Sequence, residues 1–336
     1  MKIISFIIPT LNAQKVLGSC LDSIFKQNFS KNKYEILIID GGSTDKTISI
    51  AKKYHSKIYQ NPLKTAEAGK AVGIHHAQGQ YICLIDSDNI LPTKNWLNQM
   101  LEPLKDEQII GSEPISFTYR KNSGLLERYS ALIGANDPYA FITGVSDRKN
   151  FINNKWTGLK IDQIDKNKYI KVKLKPKTDI PTIGANGTIF RTEFLKNNLN
   201  SDYLFDIDII SQVLNQTKKP LFFAKVKIGI IHTFCESSIS KFIRKQNRRL
   251  VDYYSYQEFR QYNWSSNQHS KFKFILYTIL VLPPIIDSIR GFLNKPDIVW
   301  FLHPFFCFIT LFVYTSVTIK FKLGLLKPVN RNLWQQ

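Results

Sequence analysis

The first hundred residues switch repeatedly between two hydrophobic periods, and that alternation constrains the fold more than any other feature. Residues 3–8 are an apolar run, as for a strand buried on both faces. Residues 13–27 then place Val16, Leu17, Cys20, Leu21, Ile24 and Phe25 on one face of a helix. Residues 34–39 are apolar again. Asp40-Gly41-Gly42-Ser43-Thr44-Asp45 makes a turn in which Ser43 or Thr44 caps a helix running to about Tyr54. Residues 57–59 read as a strand, 66–77 as a helix, 81–85 as a strand and 94–104 as a helix. Strand and helix alternating through short connections imply a parallel sheet with helices on both faces.

Beyond this half the pattern loosens. Residues 109–119 return as a strand. Residues 121–177 are polar and irregular, with Gly134-Ala135-Asn136-Asp137-Pro138 in their middle, and read as a partly helical insertion over the sheet edge. A turn and strand follow at 182–191, a helix starts at 192, another covers 206–214, and 221–231 is one strand or a pair. Residues 240–262 form a basic, aromatic helix. The C-terminal region is apolar: 274–286 is broken by Pro283-Pro284, and 298–319 is long enough to cross a bilayer although it holds His303 and Pro304. Lys271 and Lys273 precede these runs, and Lys320, Lys322, Lys327 and Arg331 follow. Positive residues on both outer flanks place both ends in the cytosol, as for a membrane hairpin whose first arm is kinked or re-entrant. A buried helical hairpin of a soluble protein is the competing reading.

The net charge of +20 calls for an anionic partner. Between Asn215 and Lys273 basic residues outnumber acidic ones by twelve to three, immediately before the most apolar part of the chain. That position favours an anionic membrane surface over nucleic acid. Cys20, Cys83, Cys235 and Cys307 are scattered without zinc-ligand spacing, and suit a reduced compartment. The N-terminus reads as a first strand rather than a signal peptide.

The chemistry centres on Asp86-Ser87-Asp88, where the run Tyr81-Ile82-Cys83-Leu84-Ile85 stops. A buried strand ending there leaves two carboxylates at the carboxyl edge of the sheet, where open α/β sheets bind ligands. Two carboxylates one residue apart suit a hard cation such as Mg²⁺ or Mn²⁺, which can bridge to a diphosphate.

Four segments in order resemble the signature of glycosyltransferase family 2. They are Ile7-Ile8-Pro9-Thr10-Leu11-Asn12; Ile38-Ile39-Asp40-Gly41-Gly42-Ser43-Thr44-Asp45-Lys46-Thr47; Gly69-Lys70-Ala71-Val72-Gly73-Ile74; and Ala77-Gln78-Gly79-Gln80 leading into the strand that ends at Asp86-Ser87-Asp88. The resemblance implies a GT-A fold, a doubly wound mixed sheet, and inverting sugar transfer from a nucleotide-sugar donor. By the resemblance, Pro9, Thr10, Asn12, Asp40, Gly69, Lys70, Asp86 and Ser87 hold the nucleotide. Asp86 and Asp88 hold the metal, with His232 added because some GT-A enzymes place a histidine near the diphosphate. The family often has a second Asp where this chain has Gly41. Thr182-Ile183-Gly184-Ala185-Asn186-Gly187-Thr188-Ile189-Phe190-Arg191 resembles the acceptor-side segment, so Gly184, Ala185, Asn186 and Arg191 are expected at the acceptor. The family's Glu-Asp-x-Asp corresponds to Phe205-Asp206-Ile207-Asp208, which makes Asp206 the expected general base and Asp208 the reserve. Gln246-Asn247-Arg248-Arg249-Leu250 is similar to the Gln-x-x-Arg-Trp motif of processive synthases but lacks the Trp. A basic interfacial face of Arg244, Lys245, Arg248 and Arg249 is the favoured reading there.

The expected organisation is a catalytic domain over 1–235, made of a nucleotide half (1–105) and an acceptor half (106–235, with the insertion at 120–178). A basic interfacial helix region (236–270) and a membrane hairpin with a basic tail (271–336) follow. The expected function is glycosyl transfer to a lipid-linked or membrane-proximal glycan acceptor, with the catalytic domain in the cytoplasm and a homo-oligomer left open. A processive polysaccharide synthase and a non-catalytic basic membrane- or nucleotide-binding protein are the alternatives.

Overall fold

The structure is a computed structural model describing residues 2–199, 201–258, 260, 262 and 268–326. Lys327 and Arg331 of the expected basic flank lie outside the described residues. The first hundred residues form as their periodicity dictates. Strands β1 (Ile4–Thr10), β2 (Tyr34–Asp40), β3 (Lys57–Gln60) and β4 (Tyr81–Leu84) pair in parallel in the order β3-β2-β1-β4. Alternate side chains divide between two cores. Phe6, Ile8, Ile36 and Ile38 meet Leu17, Cys20, Leu21 and Ile24 of helix α1 (Leu17–Phe25) on one face. Ile7, Leu37 and Ile39 meet Ala71 and Ile74 of α3 (Ala66–His76) on the other. Between them, α2 (Thr47–Lys53) covers the first face.

A short strand β5 (Asn89–Ile90) and helix α4 (Trp96–Leu101) lead to β6 (Ile109–Phe117). The region read as an irregular insertion carries helices α5 (Leu125–Ile133) and α6 (Pro138–Thr143) and two strands, β7 (Asp162–Asp165) and β8 (Tyr169–Leu174). These strands extend the main sheet, which the sequence reading did not anticipate. The period-two alternation of Tyr169-Ile170-Lys171-Val172-Lys173-Leu174 was the available signal, since Val172 and Leu174 are buried on one face while the half-buried lysines take the other. Strand β9 (Thr188–Arg191) runs antiparallel between β4 and β6, helices α7 (Thr192–Asn198) and α8 (Asp208–Thr217) follow, and β10 (Leu221–His232) is one long strand. The mixed sheet runs β3-β2-β1-β4-β9-β6-β10-β8-β7, with β5 pairing the end of β10.

The C-terminal quarter comprises α9 (Ile239–Ser255), α10 (Gln268–Ile279), α11 (Leu282–Asn294) and α12 (His303–Lys322). The prolines of the first apolar run fall in the first turn of α11, where a missing N–H costs nothing. The chain bends by 86° just before them. A 3₁₀ turn (Ile298–Leu302) precedes α12, and together they are long and apolar enough to cross a membrane. Val299, Trp300 and Phe306 share a core with Leu126, Tyr129 and Leu132 of α5 and Phe242 of α9.

Candidate active site

At the carboxyl end of β2, Asp40 organises the loop beside the sheet edge. Its carboxylate accepts from Thr10 Oγ1 at 2.9 Å, Gly42 N at 2.9 Å, and Ser43 N at 2.7 Å and Oγ at 2.6 Å. Asn12, in the left-handed region at φ 51°, accepts from Thr44 N at 2.9 Å and donates its own N–H to Ser43. The Pro9–Asn12 and Asp40–Thr44 segments are thus one rigid rim. Gly69 lies inside α3, one turn past its N-cap Thr65, and a Cβ there would come 3.1 Å from Pro9.

The two acids sit just beyond β4, with Ser87 between them. Asn89 Oδ1 accepts from Asp86 N at 3.1 Å, which closes the turn. The pairing of Asn89 with His232 carries the end of β10 to Asp88, so that His232 Nε2 stands 3.6 Å from Asp88 Oδ1. Lys245 of α9 approaches the other oxygen at 3.5 Å. Burial works against the Asp88 carboxylate, but His232 and Lys245 outweigh it and hold its pKa well below the usual range. Asp86 behaves oppositely: desolvation, opposed by Lys70 and reinforced by Asp88, raises it. One acid is therefore held ionised while burial opposes ionisation of its neighbour.

Lys70 joins this pair to the second half of the protein. Its buried ammonium lies 3.1 Å from Asp206 Oδ2 and 4.0 Å from Asp86 Oδ1. Burial alone would discharge the amine, but Asp206, Asp86 and Glu67 raise its pKa and keep it cationic. Asp206 comes from the turn before α8, 136 residues further along the chain. It also faces the turn at residues 184–187, since a Cβ on Gly184 would lie 3.6 Å from Asp206 Oδ2. That turn is tied to the first acids by Asn89 Nδ2, which donates to Asn186 Oδ1 at 3.2 Å, while Gly187 adopts φ +75°.

Three expected residues stand elsewhere. Arg191 is not beside the acids: it pairs with Tyr81 at the opposite end of β4 from Asp86 and donates to the carbonyls of Leu104, Asp106 and Ile109. A strand only four residues long separates the two edges, and the resemblance gave no register. Asp208 is buried in the first turn of α8 against Arg260 and the backbone N–H of Tyr262, where it anchors the chain. Ala185 is buried in the turn, with its side chain in the core. The basic helix also differs from a uniform interfacial face. Gln246 is fully buried and donates to Asn136 O at 3.0 Å, and Arg249 pairs with Asp137 at 2.7 Å. With Lys245 on Asp88, one side of α9 is turned inward. Asp137 is the N-cap of α6 and Gly134 the left-handed end of α5, which accounts for the Gly-Ala-Asn-Asp segment.

The sequence reading missed a buried charge cluster behind the turn at residues 184–187. Glu113 of β6 meets Arg148 at 2.6 Å and Lys225 of β10, and Arg148 also donates to Asn186 O at 3.2 Å. Glu113 is a lone charge in an apolar strand and Arg148 one of three adjacent charges, and their pairing depends on neighbours across the sheet that local sequence does not state.

These features define an α/β protein of the GT-A type. Mannosyltransferase PcManGT from Pyrobaculum calidifontis, solved in complex with GDP-Man and Mn²⁺, superposes with a TM-score of 0.51 at 12% identity, over 93% of this chain and 86% of that one. The Glycosyl transferase family 2 model matches residues 5–197, more than half of the chain, and the protein belongs to that family. A Methanococcus voltae dolichyl N-acetyl-alpha-D-glucosaminyl phosphate 3-beta-D-2,3-diacetamido-2,3-dideoxy-beta-D-glucuronosyltransferase is 37% identical over 109 residues, 30% of this chain and 34% of that protein. Poly(ribitol-phosphate) beta-N-acetylglucosaminyltransferase TarS of Staphylococcus aureus strain Mu50 is 33% identical over 93 residues, 26% of this chain. The matched segments therefore span only 34% and 16% of the length of these two relatives.

Proposed function

We propose that this protein is an inverting glycosyltransferase that moves a sugar from a nucleotide-sugar donor to a lipid-linked or membrane-proximal acceptor at the cytosolic membrane face. The observation that carries the reading is the meeting of Asp86 and Asp206 on Lys70, with Asp88 and His232 alongside. The rim formed by Pro9–Asn12 and Asp40–Thr44 borders the same sheet edge and suits a nucleotide. Asp206 is the general base: its carboxylate takes the proton of an acceptor hydroxyl as the oxygen attacks the anomeric carbon. Lys70 aims that carboxylate and adds positive charge beside the departing diphosphate. Gly184 and Asn186 border the acceptor side.

The donor set suits a hard divalent cation, Mg²⁺ or Mn²⁺. Asp88 Oδ1 and His232 Nδ1 are buried without hydrogen-bond partners among the described residues. Among the described residues no group of three or more His, Cys, Asp or Glu side chains is placed to hold a metal ion alone. That agrees with a cation held by one or two carboxylates and completed by substrate phosphates. Asp86 and Asp88 would hold it, with His232 beside Asp88 rather than completing a three-residue set, and it would supply charge neutralisation to the leaving diphosphate. The dolichyl-bearing acceptor in the name of the Methanococcus voltae relative supports a lipid-linked acceptor here.

Thermal-shift measurements against UDP-, GDP- and dTDP-sugars, with and without Mn²⁺, test the reading. One donor is expected to stabilise the fold by about 2.7 kcal/mol at a hundred times its Kd. Asp88→Ala should remove the Mn²⁺-dependent part. A flat response to every donor would overturn it.

A further inference from the structure

We propose that α10–α12 lie flat in the interface of an anionic membrane leaflet rather than crossing the bilayer; this rests on the membrane-proximal part of the proposed function. A spanning hairpin would put the connection between α11 and α12 on the far side of the bilayer. Instead that connection is fastened to the catalytic domain. Asp297 pairs with Arg128 at 3.1 Å and accepts from Tyr119 at 2.7 Å, and Asn294 donates to Phe151 O at 3.0 Å. Helix α12 is likewise bound along its length to a helix too polar for hydrocarbon. Phe306 meets Phe242, Tyr314 donates to Gln246, and Thr318 and Phe321 meet Tyr254, all on α9. Over that span α9 also carries Lys245, Arg248, Arg249 and Asp252, each of which would be costly at bilayer depth.

The opposite side of α12 is an exposed stripe at helical spacing, Phe305, Phe308, Phe312 and Ile319, continued by Phe301 in the preceding turn, which also meets Phe292 of α11, and by Leu323 just after the helix. An exposed apolar face of this kind marks an interaction surface. The charge beside it selects a lipid surface as the occupant. Lys271 and Lys273 at the start of α10 and Lys320 and Lys322 at the end of α12 are exposed, in a chain of net charge +20. An apolar face flanked by cations is the arrangement of a segment lying in an anionic interface.

The test uses the full chain with preformed phosphatidylcholine vesicles, with and without phosphatidylglycerol. Flotation is expected with the phosphatidylglycerol vesicles. The exposed-site variant Phe305→Glu/Phe312→Glu should lower vesicle affinity by at least about a hundredfold, from the apolar transfer energy of two side chains. It should keep the wild-type melting temperature. Topology is then read from Pro296→Cys, at an exposed position in the connection, treated with a membrane-impermeant maleimide added outside the vesicles. The four native cysteines are buried and stay silent. Complete labelling without detergent supports the flat arrangement. Flotation with labelling only after detergent overturns it and leaves membrane association standing. Flotation unaffected by the double substitution overturns the stripe as the contact. No flotation on either vesicle overturns the membrane association itself, while the donor-binding assay still judges sugar transfer separately.

Discussion

Asp206 and Asp208 are two residues apart and have opposite surroundings. Asp206 faces Lys70 and the glycine turn, whereas Asp208 is sealed against Arg260 and Tyr262. Asp206→Asn is expected to lower kcat by about 10²–10⁴-fold with donor affinity nearly unchanged, read from steady-state kinetics and calorimetric donor binding. Asp208→Asn is expected to act on stability, at about 3–5 kcal/mol for a broken buried pair, read by denaturant unfolding. A loss of kcat in Asp208→Asn without loss of stability would exchange the two roles. Asp88 gives a pH signature. Its pKa is depressed in the folded state, so its contribution to stability is full above the ordinary carboxyl pKa of about 3.9 and is lost as pH falls further. Asp88→Asn should therefore melt below wild type at neutral pH, with the gap closing in acid. A gap constant with pH would refute the pinning by His232 and Lys245. The acids were legible in the sequence because each ends a strand or opens a helix. Lys245 was not, because it arrives from a distant helix as one cation among several.

Elements whose local pattern was self-sufficient were legible. Strands β1, β2 and β4 and the helices between them follow from period alone, since each buries its own face against its sequence neighbours. Strands β7 and β8 were lost within a polar stretch, because their stability comes from pairing with β10 across the sheet rather than from apolar content. The length of α9 was overread by several residues, as polar helix ends carry little periodic signal. A tight packing constraint lies between α3 and β4. A Cβ on Gly79 would stand 2.6 Å from the backbone nitrogen of Ser5. Gly79→Ala should cost about 1–3 kcal/mol, measured by urea unfolding, because backbone must move to admit the methyl group. A neutral effect would mean that the β1–β4 register is looser than drawn.

At the scale of the whole molecule, the C-terminal helices are part of the fold. Val299, Trp300 and Phe306 complete a core begun by α5, so removing everything after residue 267 would uncover Leu126, Tyr129 and Phe242. Such a truncation is expected to bind a hydrophobic dye and aggregate. A monomeric product melting like the full chain would show that core to be dispensable. This joint core was illegible in the sequence because its two halves lie more than a hundred residues apart. Helix α9 links the remote parts directly, with Lys245 touching Asp88 at one point and Tyr254 touching Thr318 at another. Nine residues of helix separate these contacts, about 14 Å at 1.5 Å per residue. The rod therefore acts as a ruler. It sets the reach between the cluster of acids and the outer side of α12, so under the proposed function an acceptor tethered there would be gauged by the length of its stalk as much as by its chemistry.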